Sequence, residues 1–169
     1  MELTRQFPAQ VYARALESWT WLGVGGKVPL FTSPFGDVCL RDEAGFWWLS
    51  LLDGTLELVW QSADQLRAEL DSEDGQDLYL LGTLAWAAEQ RGIVPTHEQV
   101  YAFAVPPVLG GPIGVDHIQV IDFVAIMSFT GQLHEQIRDL PQGAPVSGLT
   151  VSDSGAVQLN RHTDGAGGS

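Results

Sequence analysis

The chain has 169 residues, 45% of them hydrophobic, with six Trp, a single lysine and a formal net charge of −13. This length fits one domain with a sizeable core, and the composition excludes a disordered chain. The acidic balance argues against binding nucleic acid or an anionic membrane and favours basic partners. Cys39 is the only cysteine, so no intrachain disulfide can form, which leans towards a reducing cytoplasm. The start, MELTRQFPAQ, lacks a secretory pattern, and the longest apolar run, HIQVIDFVAIMSF, contains Asp122 and falls short of a membrane helix.

In chain order, PAQVYARALESWTWLG sets Val11, Ala15, Trp19 and Leu22 at three- and four-residue steps, a helical stripe. Pro8 suits its first turn, and the glycine cluster Gly23 to Gly26 ends it. Short apolar runs then alternate with the turn signals SPFGD, DEAG and LDG. Strands are expected at Pro29–Phe31, Asp37–Arg41, Phe46–Leu51 and Thr55–Trp60, joined as an antiparallel meander because the connections are too short for parallel crossovers. The stretch SADQLRAELDS predicts a helix capped by Ser62. DGQDLYLLGTLAWAAEQRG predicts one further helix with Leu78, Leu81, Ala85 and Ala88 on its apolar face and Gly92 as its stop.

Val100–Val105 reads as a strand that the double proline ends. Asp116 is expected to cap a helix reaching Pro141, with Ile121, Val124, Ala125, Ser128, Phe129, Leu133, Ile137 and Leu140 on one face. β-branched residues within Ile118–Ile126 leave strand open for that part. VSGLTVSDSGAVQLN reads as a small terminal hairpin around Ser152–Gly155, followed by a frayed tail. The expected architecture is a single α+β domain, an antiparallel β-meander packed against several helices. Its parts are an N-terminal helix and glycine turn (1–28), the main body (29–151), and a terminal hairpin strand with a flexible tail (152–169).

The stretch GQLHEQIRDLP sets His134 beside Glu135 as a metalloprotease helix would, but Arg138 stands where the second His belongs. Zinc needs three or four converging ligands, and His97, His117, His134 and His162 show no ligand spacing. A Cys–His pair of Cys39 with His134 or His97 is formally available, yet Cys39 sits between Val38 and Leu40 as a small strand hydrophobe would. GGKVP lacks the phosphate-loop spacing, GGPIG lacks the dinucleotide-binding spacing, and the acid pairs Asp42–Glu43 and Glu73–Asp74 are merely adjacent. No catalytic set, metal or cofactor is expected, and the protein is not expected to be an enzyme.

Two groups are candidates for contact with a partner. The first is the acidic run Asp64, Glu69, Asp71, Glu73, Asp74 and Asp77, where Arg67 is the only cation; a solvated helical surface is the plain alternative. The second is Gln132, His134, Glu135, Gln136 and Asp139, for which polar contacts at a helix end are the plain alternative. VPPVLGG, with Pro106, Pro107, Gly110 and Gly111, reads as a structural loop or a partner site. The aromatic stretch FWWLSLLDGTLELVW reads as core, with one exposed Trp suited to anchoring an interface.

Taken together, PLFTSPFGDVCLRDEAGFWWLSLLDGTLELVW, GQDLYLL, FAVPPVLGG and IQVIDFVAIMSFTGQLHEQIRDLPQGAPV resemble a bacterial family. It is the domain assigned to the C-terminal part of Tdi-type immunity proteins, which neutralise DNase toxins delivered by type VI secretion. The resemblance covers Pro29 to Val146 and rests on the combination, above all Pro106-Pro107-x-Leu109-Gly110-Gly111 followed by Gly131-Gln132-x-His134-x-Gln136 and Asp139-Leu140-Pro141. Family members often carry an upstream domain, whereas some 28 residues precede the match here, as in a short single-domain version. The resemblance implies an immunity-type protein that binds a basic toxin nuclease, and it carries no catalytic residues. The rival expectations are a scaffold or regulatory domain acting as a homo-oligomer, and a small enzyme using His134 and Glu135.

Overall fold

Alternation along the strands sets the layering. In β2 (Val38–Asp42), Val38 and Leu40 point to one face and Cys39 to the other, as the two-residue strand period requires, and all three are fully buried. A strand apolar on both faces must be covered on both. The computed structural model, in which residues 3–140 and 146–161 are described, meets this demand with helices on each side.

The central sheet runs β1 (Val28–Thr32), β2, β3 (Gly45–Ser50) and β4 (Thr55–Trp60) in sequence order, every pair antiparallel. The meander and its turns thus lie where the sequence places them. One face packs against α1 (Ala9–Leu16), the 3₁₀ segment Glu17–Leu22 and α5 (Phe123–Arg138), around Trp19, Leu40, Leu49, Phe123 and Met127. The opposite face packs Cys39, Trp48 and Trp60 against Leu66 of α2 (Ala63–Asp71) and Leu80 of α3 (Glu73–Leu80). A third cluster joins Phe35 to α4 (Gly82–Gln90) and to the two-stranded sheet of β5 (Gln99–Phe103) and β6 (Ile118–Asp122). A terminal hairpin, β7 (Val146–Val151) and β8 (Val157–Arg161), packs on α5; its first strand begins before the expected boundary at 152. The chain is a single α+β domain, and no described helix is long and apolar enough to cross a membrane.

Four local expectations need correction. The N-terminal stripe is not one α-helix: it tightens to 3₁₀ from Glu17, which still buries Trp19. The helix expected across 74–92 breaks at Leu81, whose φ of +49° ends α3, and α4 restarts at Gly82. The break turns Leu78 outward at 68% exposure and puts Leu80 inside at 2%. Asp116 caps no long helix; it lies in a 3₁₀ turn and pairs with Arg91, and the cap of α5 is Asp122, which accepts from Ala125 N–H at 2.9 Å. Strand β5 stops at Phe103, short of the expected Val105.

Candidate functional site

The end of α5 is where four elements meet. Gly131 lets the 3₁₀ segment approach closely: a Cβ there would lie 2.6 Å from the Ser18 carbonyl oxygen. Trp19 donates to the Met127 carbonyl at 3.0 Å, and Trp21 donates to the Gly131 carbonyl at 3.2 Å. Arg138 lies over the Trp21 ring, 4.8 Å from its centroid, and pairs with Asp139 at 3.5 Å. The buried stripe of the helix is Phe123, Met127, Thr130, Gly131, Leu133 and His134, not the face centred on Phe129 and Ile137.

For His134 the sequence leaves partner contact and polar contacts at a helix end both open. The side chain is 6% exposed, and its Nε2 donates to the Leu51 carbonyl at 2.7 Å. That bond fixes the proton on Nε2 in the neutral ring. Burial pushes its pKa down, against the Leu51 bond and the nearby Asp53 charge. Gly54 packs flat against the ring, with φ +66°, and a Cβ at that position would overlap Cγ and Nδ1 of His134. The LDG turn is thus moulded onto an imidazole.

The backbone of Leu51 is held at its other end as well. Its N–H donates to Asp37 Oδ1 at 2.8 Å, and Ser33 Oγ donates to Asp37 Oδ2 at 2.9 Å. Ser33 Oγ also accepts from the N–H groups of Phe35 and Asp37, so its one hydrogen needs an acceptor, which a carboxylate supplies and an amide nitrogen does not. Burial pushes the Asp37 carboxyl up to about 6, its hydrogen bonds opposing the shift.

Gln132 and Gln136 serve the hairpin. Gln132 donates to the Gly155 carbonyl at 2.9 Å and accepts from Val157 N–H at 2.9 Å. Gln136 donates to the Val157 carbonyl and accepts from Leu159 N–H at 2.8 Å. Two side-chain amides one helical turn apart thus mimic a strand beside β8. Both side-chain amides are committed inside the chain, as polar contacts at a helix end would be. Glu135 is half-buried with no hydrogen bond or ion pair among the described residues, and Asp139 is exposed.

Of the loop residues, Gly110 N–H donates to the Pro107 carbonyl at 2.9 Å and Gly111 N–H to the Pro106 carbonyl at 3.2 Å, closing a tight turn. Pro106, Pro107 and Val108 line a narrow apolar cleft with Leu133 and His134, of about 40 Å³. This is room for about one water and not for a substrate. Cys39 is wholly buried, and burial pushes its thiol up to about 12, so it forms no pair with His134 or His97. No group of three metal-ligating residues occurs among the described residues, and His162 lies outside them.

The acidic candidates fall on α2 and α3. Asp64 occupies the first turn of α2, and Glu73 and Asp74 the first turn of α3, where a negative charge is favoured by the helix dipole. Asp77 accepts from the hydroxyl and N–H of Thr83 at 2.7 and 2.9 Å, which holds its carboxyl below the usual range and starts α4. Asp64, Asp71, Glu73, Asp74 and Asp77 are exposed, and Glu69 is half-buried. Sequence reasoning missed the exposure of Leu78 on α3 and Trp86 on α4, 68% and 56%. The signal for Leu78 was the Gly82–Thr83 pair in mid-helix, which marks the break.

No protein-family model and no curated protein matches the chain. Among solved structures, that of Atu4351 from Agrobacterium tumefaciens aligns with 93% of this chain and 75% of its own, at 13% identity and a TM-score of 0.45.

Proposed function

We propose that the protein is an immunity-type protein of the cytoplasm that binds and blocks a toxin enzyme, a DNase effector, through its acidic helical layer. The observation that carries this reading is the surface of α2 to α4. It presents Asp64, Glu69, Asp71, Glu73 and Asp74 against the lone cation Arg67, and Leu78 of α3 and Trp86 of α4 are open. A DNA-cutting enzyme needs a cationic groove, and an acidic surface with an apolar anchor can occupy it and associate quickly. The resemblance of Pro29–Val146 to Tdi-type immunity domains supports the same reading. The rival use of His134 as an acid–base group finds little support, because its Nε2 is committed to a backbone carbonyl.

Purified protein, added to the toxin domain encoded beside its gene, is expected to abolish DNA cleavage at near-equimolar ratio. Intact cleavage with excess protein present removes the reading. A stable homo-oligomer with no toxin bound supports the scaffold instead.

A further inference from the structure

Away from the acidic helices lies a cleft of about 420 Å³, within the size range of small-molecule sites. Arg5 and Glu89 both line it, with Pro34, Val94 and Pro95 as apolar walls and Tyr101. Arg5 is fixed in place: its Nη1 donates to the carbonyls of Thr96 and Gln99, each at 2.7 Å, and its Nη2 to that of Pro95 at 3.4 Å. Its backbone is fixed too, by a two-way bridge to Thr32. These bonds use three of the five guanidinium hydrogens and neutralise none of its charge.

Among the described residues no carboxylate pairs with Arg5 and no cation pairs with Glu89. In a chain of net charge −13, a cation held only by carbonyls is conspicuous. Both charges reach one hydroxyl: after burial, Glu89 raises the Tyr101 pKa and Arg5 lowers it. Two opposite charges that share a cleft but not an ion pair are complementary to a ligand bearing both signs.

We propose that this cleft binds a small zwitterion, its carboxylate on the free N–H groups of Arg5 and its ammonium on Glu89, with an aliphatic spacer against Val94 and the two prolines. The anionic end gains a charge-assisted, planar partner, and the cationic end gains a carboxylate with no other cation among the described residues.

The test is a titration of the whole protein, followed by amide NMR, with 6-aminohexanoate, hexanoate and hexylamine. Saturable shifts at Val94 and Tyr101 are expected, with 6-aminohexanoate at least about tenfold tighter than either single-charge probe. Arg5 also staples the N-terminal segment, so the variant of choice is Glu89→Gln, whose native side chain makes no hydrogen bond among the described residues. E89Q is expected to erase the advantage of 6-aminohexanoate over hexanoate while leaving the spectrum folded. Absence of saturable shifts, equal binding of the three probes, or an undiminished advantage in E89Q overturns the assignment.

Discussion

Asp37 and His134 grip the two ends of one residue's backbone: Leu51 N–H donates to Asp37 at 2.8 Å, and the Leu51 carbonyl accepts from His134 at 2.7 Å. Leu51 leaves β3 for the turn that His134 underlies, so this contact ties α5 to the β3–β4 turn. Replacing His134 by Ala leaves a buried carbonyl without its donor and opens a void. A loss of about 3 kcal/mol is expected in urea unfolding. A loss below about 0.5 kcal/mol would show that the contact is incidental.

The Asp37 carboxyl gives a pH signature. Its pKa in the folded chain, about 6, lies above the ordinary 3.8, so between those values the folded state binds more protons than the unfolded. The contribution of this group to stability is full below the unfolded value and declines as pH rises through 6. His134 works in the opposite sense: its lowered pKa costs stability as pH falls below the ordinary 6.5. Comparison with Asp37→Asn isolates the first. The stability of wild type relative to D37N is expected to grow by about 2 kcal/mol from pH 7 to pH 4. A pH-independent difference contradicts the assignment.

Gly54 and His134 are expected to be coupled. Gly54→Ala strains a positive φ and drives a methyl into the imidazole, at a cost of about 2–4 kcal/mol. In a His134→Ala background the overlap is gone and only the backbone strain remains. A double-mutant cycle is expected to show a coupling above about 1 kcal/mol, and strict additivity would place the ring elsewhere.

The meander was legible in the sequence because each turn announces itself: SPFGD, DEAG and LDG punctuate runs of β-forming residues. The long-range roles of GQLHEQIRDLP were not. Periodicity ranks positions by hydrophobicity, so it moved His134, Thr130 and Gly131 off the stripe and put Phe129 and Ile137 on it. Burial of a polar side chain depends on a partner, and the partners, Leu51 and the backbone of β8, are remote in sequence. The cap at Asp122 was displaced to Asp116 because both precede apolar residues, and only pairing with β5 commits 118–122 to strand. The acidic residues were legible as a run, but the parts that Asp64, Glu73, Asp74 and above all Asp77 play at helix starts were not.

The glutamine pair predicts a local effect rather than a global one. Gln132→Ala with Gln136→Ala is expected to speed amide exchange at Val157 and Leu159 by at least about tenfold. The central-strand amides of Val38 and Leu40 are expected to keep their protection. Uniform loosening of both sets would mean that the pair supports the whole fold.

The proposed function is tested most directly by the affinity for the neighbouring toxin, measured against salt and against charge reversal on the acidic helices. Asp71→Lys with Asp74→Lys changes two exposed carboxylates and spares Asp77, which starts α4. The account predicts that binding weakens as salt rises, and that the double reversal weakens it by about a hundredfold at low salt while the protein stays folded. Tight binding that ignores both salt and the reversal would contradict it.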